Sequence, residues 1–344
     1  WGAVWAVALF WFVVGAILLA CGYSSRLGAM LHRLLQPIWP YRAWVLGGLL
    51  AAIVVIPLLV RVLSPDARAA RQACNGHVEL CDRPANEVAY ATTHNAMSIS
   101  LYGWLWPTHD GTIKDQLEAG VRALLIDTHY PDTLQTIEAA LADLSPAAQK
   151  VAQEAIDNSG RQGRTAGSYL CHMACGLGAT PVADTFHDIR SFLEENPREV
   201  LFVVIQDAIT PADTVAAVEG AGLDPYLYTH EQGKPWPTLR QMIDSGQRLV
   251  VMAEEESPPP AWYQNVWDNT METPYTFIKY DDFSCAVNRG GDDKPFFLLN
   301  HWIQRGAPNR VDAATVNAYD FLLARAQQCT KERGKMPNFV AVNF

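Results

Sequence analysis

From Glu87 to the end of the chain, short apolar runs alternate with helical patterns, and this alternation constrains the fold more than any other feature. Parallel strands need long crossover connections, which are usually helices. Eight apolar runs with helical patterns between several of them fit a (β/α)8 barrel better than an open doubly wound sheet. We therefore predict an α/β fold with a TIM-type barrel whose strands are 87–93, 121–127, 169–172, 199–206, 248–253, 276–279, 295–300 and 338–343.

Polar side chains follow most of these runs at the point where the run ends. In a parallel barrel the carboxyl ends of the strands meet at one mouth, where the active sites of such barrels form. Histidine changes its protonation state near neutral pH, so one histidine at this mouth can accept a proton while another donates one. We predict His94, His172 and Asp127 as catalytic residues; two structural histidines near strand ends are the alternative. The polar residues at the predicted mouth are His94, Asn95, Asp127, His172, Gln206, Asp207, Glu254, Asn300 and His301.

Two long apolar segments lie in the first sixty residues. Residues 1–21 contain no charged side chain, and residues 44–60 contain none. Each segment is long enough to cross a hydrocarbon core of about 30 Å at roughly 1.5 Å per residue, and neither shows the polar stripe of a surface helix. We therefore predict two transmembrane helices ahead of the barrel. The predicted division is a membrane region at 1–64 with helices at about 1–21 and 44–63, a linker at 65–73 and the barrel at 74–344.

The loop between the two apolar segments carries only basic charges, Arg26, Arg33 and Arg42. The positive-inside rule places this loop in the cytoplasm and everything after the second segment outside. We therefore predict an integral membrane protein with an extracytoplasmic catalytic domain and the membrane itself as a partner. The net charge of −10 does not indicate a nucleic-acid surface. Because the chain begins at Trp1 rather than Met and ends in a strand-like run, we expect a piece of a longer protein.

Six of the seven cysteines follow the apolar segments. An even number of cysteines at plausible spacings indicates disulfides and an oxidising compartment. Free buried thiols and a metal site are the alternatives, although no C-x-x-C repeat is present. The predicted pairs are Cys74–Cys81, Cys171–Cys175 and Cys285–Cys329.

Six stretches between Cys74 and the C-terminus share one resemblance. They are CNGHVELCDRPANEVAYATTHNAMS, DQLEAGVRALLIDTH, YLCHMACGLG, SFLEENPREVLFVVIQD, PWPTLRQMIDSGQRLVVMAEE and PNFVAVNF. Together they resemble the catalytic X region of phosphatidylinositol-specific phospholipase C and the wider superfamily of PLC-like phosphodiesterases. The resemblance implies a phosphoric diester hydrolase that acts on a phospholipid or another phosphodiester by His/His general acid–base catalysis.

The resemblance also implies a role for each histidine. His94 would be the general base that activates the attacking hydroxyl, and His172 the general acid that protonates the leaving oxygen. In inositol lipids the attacking group is the neighbouring ring hydroxyl, so that a cyclic phosphodiester and diacylglycerol form. We predict Arg122, Asn300 and His301 as substrate-binding residues, with a structural ion pair as the alternative for Arg122.

Calcium-dependent members of this superfamily follow the first histidine with Asn and place acids at the end of the second strand. Asn95 and Asp127 fit that pattern, and oxygen ligands suit Ca²⁺. The chain departs from it at Leu125 and Gln206, where acids are expected, so Asp127 could instead orient His94 or pair with Arg122. These departures also favour an alternative function, a catalytically silent barrel that binds lipid headgroups or a partner. The predicted Ca²⁺ ligands are Asn95, Asp127, Asp207 and Glu254.

Overall fold

The structure is a computed structural model that describes residues 72–142, 144–159, 167–255 and 259–344. The strands within these ranges are β1 (Tyr90–Thr93), β2 (Ala123–His129), β3 (Tyr169–Leu170), β4 (Thr180–Pro181), β5 (Leu201–Asp207), β6 (Leu249–Ala253), β7 (Tyr263–Asn265), β8 (Thr270–Glu272), β9 (Phe296–Asn300) and β10 (Phe339–Val342). The α-helices are α1 (Ile113–Glu118), α2 (Leu134–Ala142), α3 (Pro146–Asn158), α4 (Val182–Glu195), α5 (Pro211–Gly220), α6 (Leu239–Ser245), α7 (Val266–Asn269), α8 (Arg310–Val316) and α9 (Tyr319–Arg333). Short 3-10 helices occupy Val78–Leu80, Ala85–Glu87, Ser100–Tyr102, Cys175–Leu177, Asp224–Tyr226 and Tyr280–Asp282.

Eight strands pair in parallel in the order β7-β6-β5-β2-β1-β10-β9-β8. The sheet is curled, because the rings of Phe202 on β5 and Phe296 on β9, four places apart in this order, lie 5.5 Å apart. Among the described strands, β7 and β8 at the two ends do not pair with each other, so the sheet is a half-barrel. The predicted closed (β/α)8 barrel is wrong in this respect.

Two of the eight predicted strands also differ from the structure. The run at 169–172 forms β3, which pairs antiparallel with β2 and β4 and stands outside the parallel order. The run at 276–279 contains no strand, and the sheet instead uses β7 and β8 earlier in the chain. Both observed strands have only three residues, so neither forms an apolar run long enough to be recognised.

The fold prediction also included two membrane-spanning helices, and this part is corrected as well. In the ranges that the structure describes, no helix has the length and apolar character needed to span a bilayer. The two predicted spans, 1–21 and 44–63, lie outside the described residues. The boundaries predicted around residues 64 and 74 stay a prediction.

The two faces of the sheet pack into different cores. Alternate residues of a strand point to opposite faces. On β5, Leu201, Val203 and Ile205 pack with apolar residues of α1 and α4, whereas Phe202 and Val204 point to the inner side of the curl. Helix α4 presents a matching apolar face, since Phe186, Ile189, Leu193 and others at helical spacing are buried. The inner side is filled by contacting aromatic rings from several strands: Tyr90, Phe202, Phe296 and Phe339.

All three predicted disulfides form, Cys74–Cys81, Cys171–Cys175 and Cys285–Cys329. The predictions of pairing are confirmed, and the alternatives of free thiols and a cysteine metal site do not apply. The second disulfide encloses His172.

Candidate active site

On each long parallel strand the inward-facing series of side chains ends in a polar residue. On β2 the series is Ala123, Leu125 and then Asp127; on β9, Phe296 and Leu298 precede Asn300. Because these ends meet at one edge of the curled sheet, most of the terminal residues line a single cavity of about 150 Å³. The terminal residues that line it are His94, Asp127, Gln206, Glu254, Glu272 and Asn300.

His94 follows β1 and is held on two sides. Its Nδ1 lies 2.9 Å from Oδ1 of Asn343, the residue that follows β10. Its ring stacks on the indole of Trp302, with centroids 3.7 Å apart and planes 5° apart. Burial is the main cause that lowers the pKa of His94 to about 4. If Nδ1–H donates to Asn343, Nε2 of the neutral imidazole is the nitrogen that can accept a proton.

His172 lies on the loop after β3, where β3 extends the sheet beside the end of β2. Its Nδ1 lies 2.7 Å from Oδ2 of the buried Asp127. Burial acts against protonation of His172, but the hydrogen bond and the negative charge of Asp127 outweigh it and raise the pKa. The backbone N–H of Cys171 donates to the carbonyl of Asp127, which fixes the start of this loop. Asp127 therefore orients a histidine, as one alternative proposed, but the histidine is His172.

Asn95 completes this side of the site. With its amide nitrogen turned towards Asp127, it donates to both carboxylate oxygens at 3.2 and 3.3 Å. Its φ of 50° is a left-handed conformation that Asn tolerates better than most residues. The carboxylate of Asp127 is therefore enclosed by donors from Asn95 and His172.

A cluster of charged groups forms the far wall of the cavity. Nη1 of Arg289 lies 2.7 Å from Oε2 of Glu254, and Nε of Arg289 pairs with Glu272. The guanidinium also lies over the ring of Trp267, 4.0 Å from its centroid. Asn300 donates to Glu272 at 3.1 Å. Burial raises the pKa of Glu254 although Arg289 opposes this shift.

Gly290 allows Arg289 to reach this wall. Its φ is +84°, and a Cβ at this position would lie 1.9 Å from the carbonyl oxygen of Thr270 on β8. The turn therefore packs directly on the strand, where the backbone N–H of Asn288 donates to the carbonyl of Glu272.

The structure does not gather the four predicted Ca²⁺ ligands. Asn95 and Asp127 are neighbours, but Glu254 is paired with Arg289. Asp207 lies one residue beyond the inward-facing Gln206 and accepts a hydrogen bond from the backbone of Glu255. Within the described ranges, no group of three or more His, Cys, Asp or Glu side chains is arranged to hold a metal ion. Ca²⁺ takes about six to eight oxygen ligands, so these side chains alone do not complete a site for the ion, and Ca²⁺ stays a prediction.

Two of the three predicted substrate-binding residues lie away from the cavity. Arg122 precedes β2, at the opposite end of the strand from Asp127, and its Nε lies 2.6 Å from Glu199. This is the structural ion pair that was its alternative. His301 is fully buried, accepts a hydrogen bond from Arg325 at Nδ1 and contacts the carbonyl of Val316 through Nε2. It lies one position beyond Asn300, so the alternation of the strand turns it to the outer face.

Several residues that line the site were not predicted from the sequence. Glu272 ends the short β8, and Arg289 is on a turn, where no periodic pattern marks it. Asn343 could have been found, because Phe339, Ala341 and Asn343 alternate along β10. Trp302 follows Asn300 by two positions, and the same alternation would have placed it inward.

Residues 158–344, more than half of the chain, match the family model described as PI-PLC X 1. The chain belongs to the PI-PLC X family. The resemblance stated from the sequence is thereby confirmed. The matched range includes His172 but begins after β1 and β2, so His94, Asn95 and Asp127 precede it.

Relatives extend the PI-PLC X likeness over more of the chain. PI-PLC X domain-containing protein 1 of Arthroderma benhamiae is 24% identical over 321 residues, which cover 87% of this chain and 91% of that protein. A PI-PLC X domain-containing protein of Arabidopsis thaliana is 25% identical over 292 residues, covering 76% of this chain and 58% of the relative. A solved structure, phosphatidylinositol-specific phospholipase C of Listeria monocytogenes, aligns with a TM-score of 0.47 and 17% identity over 77% of this chain and 90% of that one.

A third relative bears on the predicted location. It is an uncharacterized secreted protein of Arthroderma benhamiae, 23% identical over 298 residues, which cover 79% of this chain and 60% of that protein. That description, together with the lack of a membrane-spanning helix among the described residues, conflicts with the predicted integral membrane protein with two spans. The prediction of localisation is therefore corrected.

Proposed function

We propose that this chain is a phosphoric diester hydrolase that cleaves an inositol phospholipid by general acid–base catalysis. The observation that carries this proposal is that His94 and His172, whose pKa values are shifted in opposite directions, line one cavity. The lowered pKa of His94 favours the neutral imidazole, which can accept a proton, and the raised pKa of His172 favours the imidazolium, which can donate one. The PI-PLC X names of the relatives support an inositol lipid as the substrate.

The proposed reaction follows from the two imidazoles. Nε2 of His94 takes the proton of the attacking hydroxyl as its oxygen bonds to phosphorus. The bond from phosphorus to the leaving oxygen breaks, and this oxygen takes the proton of His172. With the neighbouring ring hydroxyl as the attacking group, the products are a cyclic inositol phosphodiester and diacylglycerol. Asp127 holds the ring of His172 in place and stabilises its protonated form.

The charged wall suits a ligand rich in hydroxyl groups. Carboxylates accept hydrogen bonds from hydroxyls, and guanidinium and amide groups donate to them. Glu254, Glu272, Arg289 and Asn300 provide both kinds of group on one side of the histidines. An inositol ring would meet these residues while its phosphate lies between His94 and His172.

The test is turnover of phosphatidylinositol in detergent micelles by the purified chain, in Ca²⁺ and in EGTA. We expect His94→Ala and His172→Ala each to lower kcat by about 10²–10⁴, since one general acid or base contributes that much. His187→Ala, an exposed histidine on α4, is the matched control. Full activity in either of the first two variants would contradict the proposal. Equal activity in EGTA would contradict the Ca²⁺ prediction.

A catalytically silent half-barrel that binds lipid headgroups or a partner is the second candidate. Leu125 and Gln206 line the cavity where the superfamily pattern has acids, which favours it. It predicts binding of an inositol phosphate without turnover of any diester in Ca²⁺ or EGTA.

A further inference from the structure

A second cavity opens from the same two histidines. It has a volume of about 470 Å³, within the range of roughly 300–1,000 Å³ that is common for ligand pockets. His94, Asn95, His172, Trp302 and Gln304 line both cavities. A molecule bound at the histidines therefore has two spaces into which it can extend.

The two cavities differ in chemistry. The first has four charged residues in its wall, Asp127, Glu254, Glu272 and Arg289. Among the described residues that line the second, none is Asp, Glu, Lys or Arg. We call the second cavity the apolar groove, after the side chains that form much of its wall, which include Leu105, Trp106, Leu144, Met173, Leu177 and Ile303.

The wall of the apolar groove is built by segments outside the parallel sheet. The loop at 104–106 is tied to the 3-10 helix Cys175–Leu177 by a bond from Leu105 N–H to the carbonyl of Leu177, 2.8 Å long. Helices α2 and α3 pack behind it through Ile137, Ala152 and Ile156. Leu144 and Met173 are only half-buried, so the groove leaves apolar surface exposed to solvent.

Two bulky wall residues have a backbone conformation that side chains of their size rarely adopt. Trp106 has a φ of 61° and Met173 a φ of 65°. Such residues persist only where the surrounding structure holds them, and they concentrate at ligand sites. Both residues line the groove that begins at His172.

We propose that the apolar groove binds the hydrocarbon chain of the leaving alcohol. The inference rests on the proposed function and deepens it, because it assigns each half of the diester to one cavity. The polar headgroup occupies the charged cavity, and the phosphate lies at the histidines. His172, which protonates the leaving oxygen as its bond to phosphorus breaks, also lines the groove, so the departing alcohol lies directly at its entrance. The chain therefore recognises the leaving group as well as the headgroup.

The test compares two soluble esters of inositol phosphate that differ only in the leaving alcohol, methanol or octanol, each used below its micelle concentration. We expect kcat/KM to be at least tenfold higher for the octyl ester, because even one methylene in an apolar pocket changes kcat/KM by about tenfold or more. Leu144→Asp places a charge in the groove, and Ala148→Phe fills it from α3 without adding charge. Both should lower the octyl-to-methyl ratio at least fivefold.

The control is Leu134→Asp, which adds the same charge at an exposed position of α2 that does not line the groove. It should leave the ratio unchanged. An unchanged ratio in both groove variants, or equal kcat/KM for the two esters in the wild type, would overturn the proposal.

Binding of non-hydrolysable methyl and octyl phosphonates separates the two proposals. If no ester is turned over but the octyl phosphonate binds more tightly, and Leu144→Asp removes that preference, the groove stands and the proposed cleavage of the diester fails. If esters are turned over without any preference, cleavage of the diester stands and the groove assignment fails.

Discussion

His94 and His172 line the same cavity, but their surroundings differ in the features that set a pKa. His94 is enclosed between the indole of Trp302 and the neutral amide of Asn343, and no carboxylate bonds to it within the described residues. His172 is 46% exposed and bonds to the carboxylate of Asp127. Burial alone favours the neutral imidazole, whereas a carboxylate partner favours the imidazolium. The pKa of His94 is therefore lowered and that of His172 raised, which agrees with the roles of base and acid proposed for them.

The difference originates in the elements that carry the two residues. His94 directly follows a strand of the sheet, and its backbone N–H donates to the carbonyl of Val342 on the neighbouring strand. His172 stands on a loop enclosed by the Cys171–Cys175 disulfide. A packed position from which water is excluded favours the neutral form that a base needs. Partial exposure and a fixed negative charge favour the protonated form that an acid needs.

Removing the counter-charge of His172 should have the largest effect. In Asp127→Asn, the hydrogen bond and the negative charge that raise the pKa of His172 are weakened or lost, so its pKa should fall from its raised value. The imidazolium is then lost at lower pH, and the alkaline limb of the kcat/KM profile should move to lower pH. With the orientation of the ring also weakened, we expect kcat near pH 7 to fall by about 10²–10⁴. The measurement is the pH dependence of ester turnover.

Asp281→Asn is the control for this change, because Asp281 is an exposed carboxylate outside the cavity. If the alkaline limb of kcat/KM stayed at the wild-type pH in Asp127→Asn, Asp127 would not set the pKa of the group that acts as the acid.

Adding a counter-charge to His94 should have a smaller effect, confined to low pH. In Asn343→Asp a carboxylate would replace the amide that lies 2.9 Å from Nδ1. An opposite charge at this distance typically raises a histidine pKa by about 1–3 units. From a pKa of about 4, the acid limb of kcat/KM should therefore move upward. At pH 5 we expect a loss of about tenfold, with little change at pH 8.

The matched control for Asn343→Asp is Gln327→Glu, which adds the same charge at an exposed position of α9. If both variants moved the acid limb equally, the shift would reflect net charge rather than a contact with His94.

The asymmetry between the two histidines shows what the sequence could and could not predict. The apolar runs that end at His94 and Asp127 were visible, because buried parallel strands read as continuous apolar residues. The pairing of His172 with Asp127 could not be predicted, because the loop that carries His172 reaches Asp127 only through the antiparallel pairing of β3 with β2. Asn343 could have been predicted, because the alternation along β10 turns its side chain inward.

Alternation also explains two incorrect placements. Asp207 and His301 each come one residue after an inward-facing side chain, Gln206 or Asn300. A polar residue at the end of a strand therefore belongs to the site only if it lies an even number of positions after the inward-facing residues of that strand. Closure of the barrel could not be judged, because β7 and β8 are too short to leave a pattern.

The smallest effect concerns the indole that shields His94. Trp302→Phe keeps a ring against the imidazole, whereas Trp302→Leu removes it and admits water. Because burial is the main cause of the low pKa of His94, the acid limb should move upward in Trp302→Leu and stay nearly in place in Trp302→Phe. At the pH optimum we expect both variants to retain turnover within about tenfold of the wild type, since neither removes a proton-transfer group.

Thermal unfolding provides the control for the Trp302 pair. Trp302 is 5% exposed, so Trp302→Leu should lower the free energy of unfolding, though by less than the ~3–5 kcal/mol typical of Trp→Ala. If Trp302→Leu lost stability while its acid limb stayed at the wild-type pH, exclusion of water by the indole would not be what keeps His94 neutral. The rest of the packing around His94 would then have to account for its low pKa, because the hydrogen bond to Asn343 raises it, and the contrast with His172 would rest on the carboxylate of Asp127 rather than on the indole.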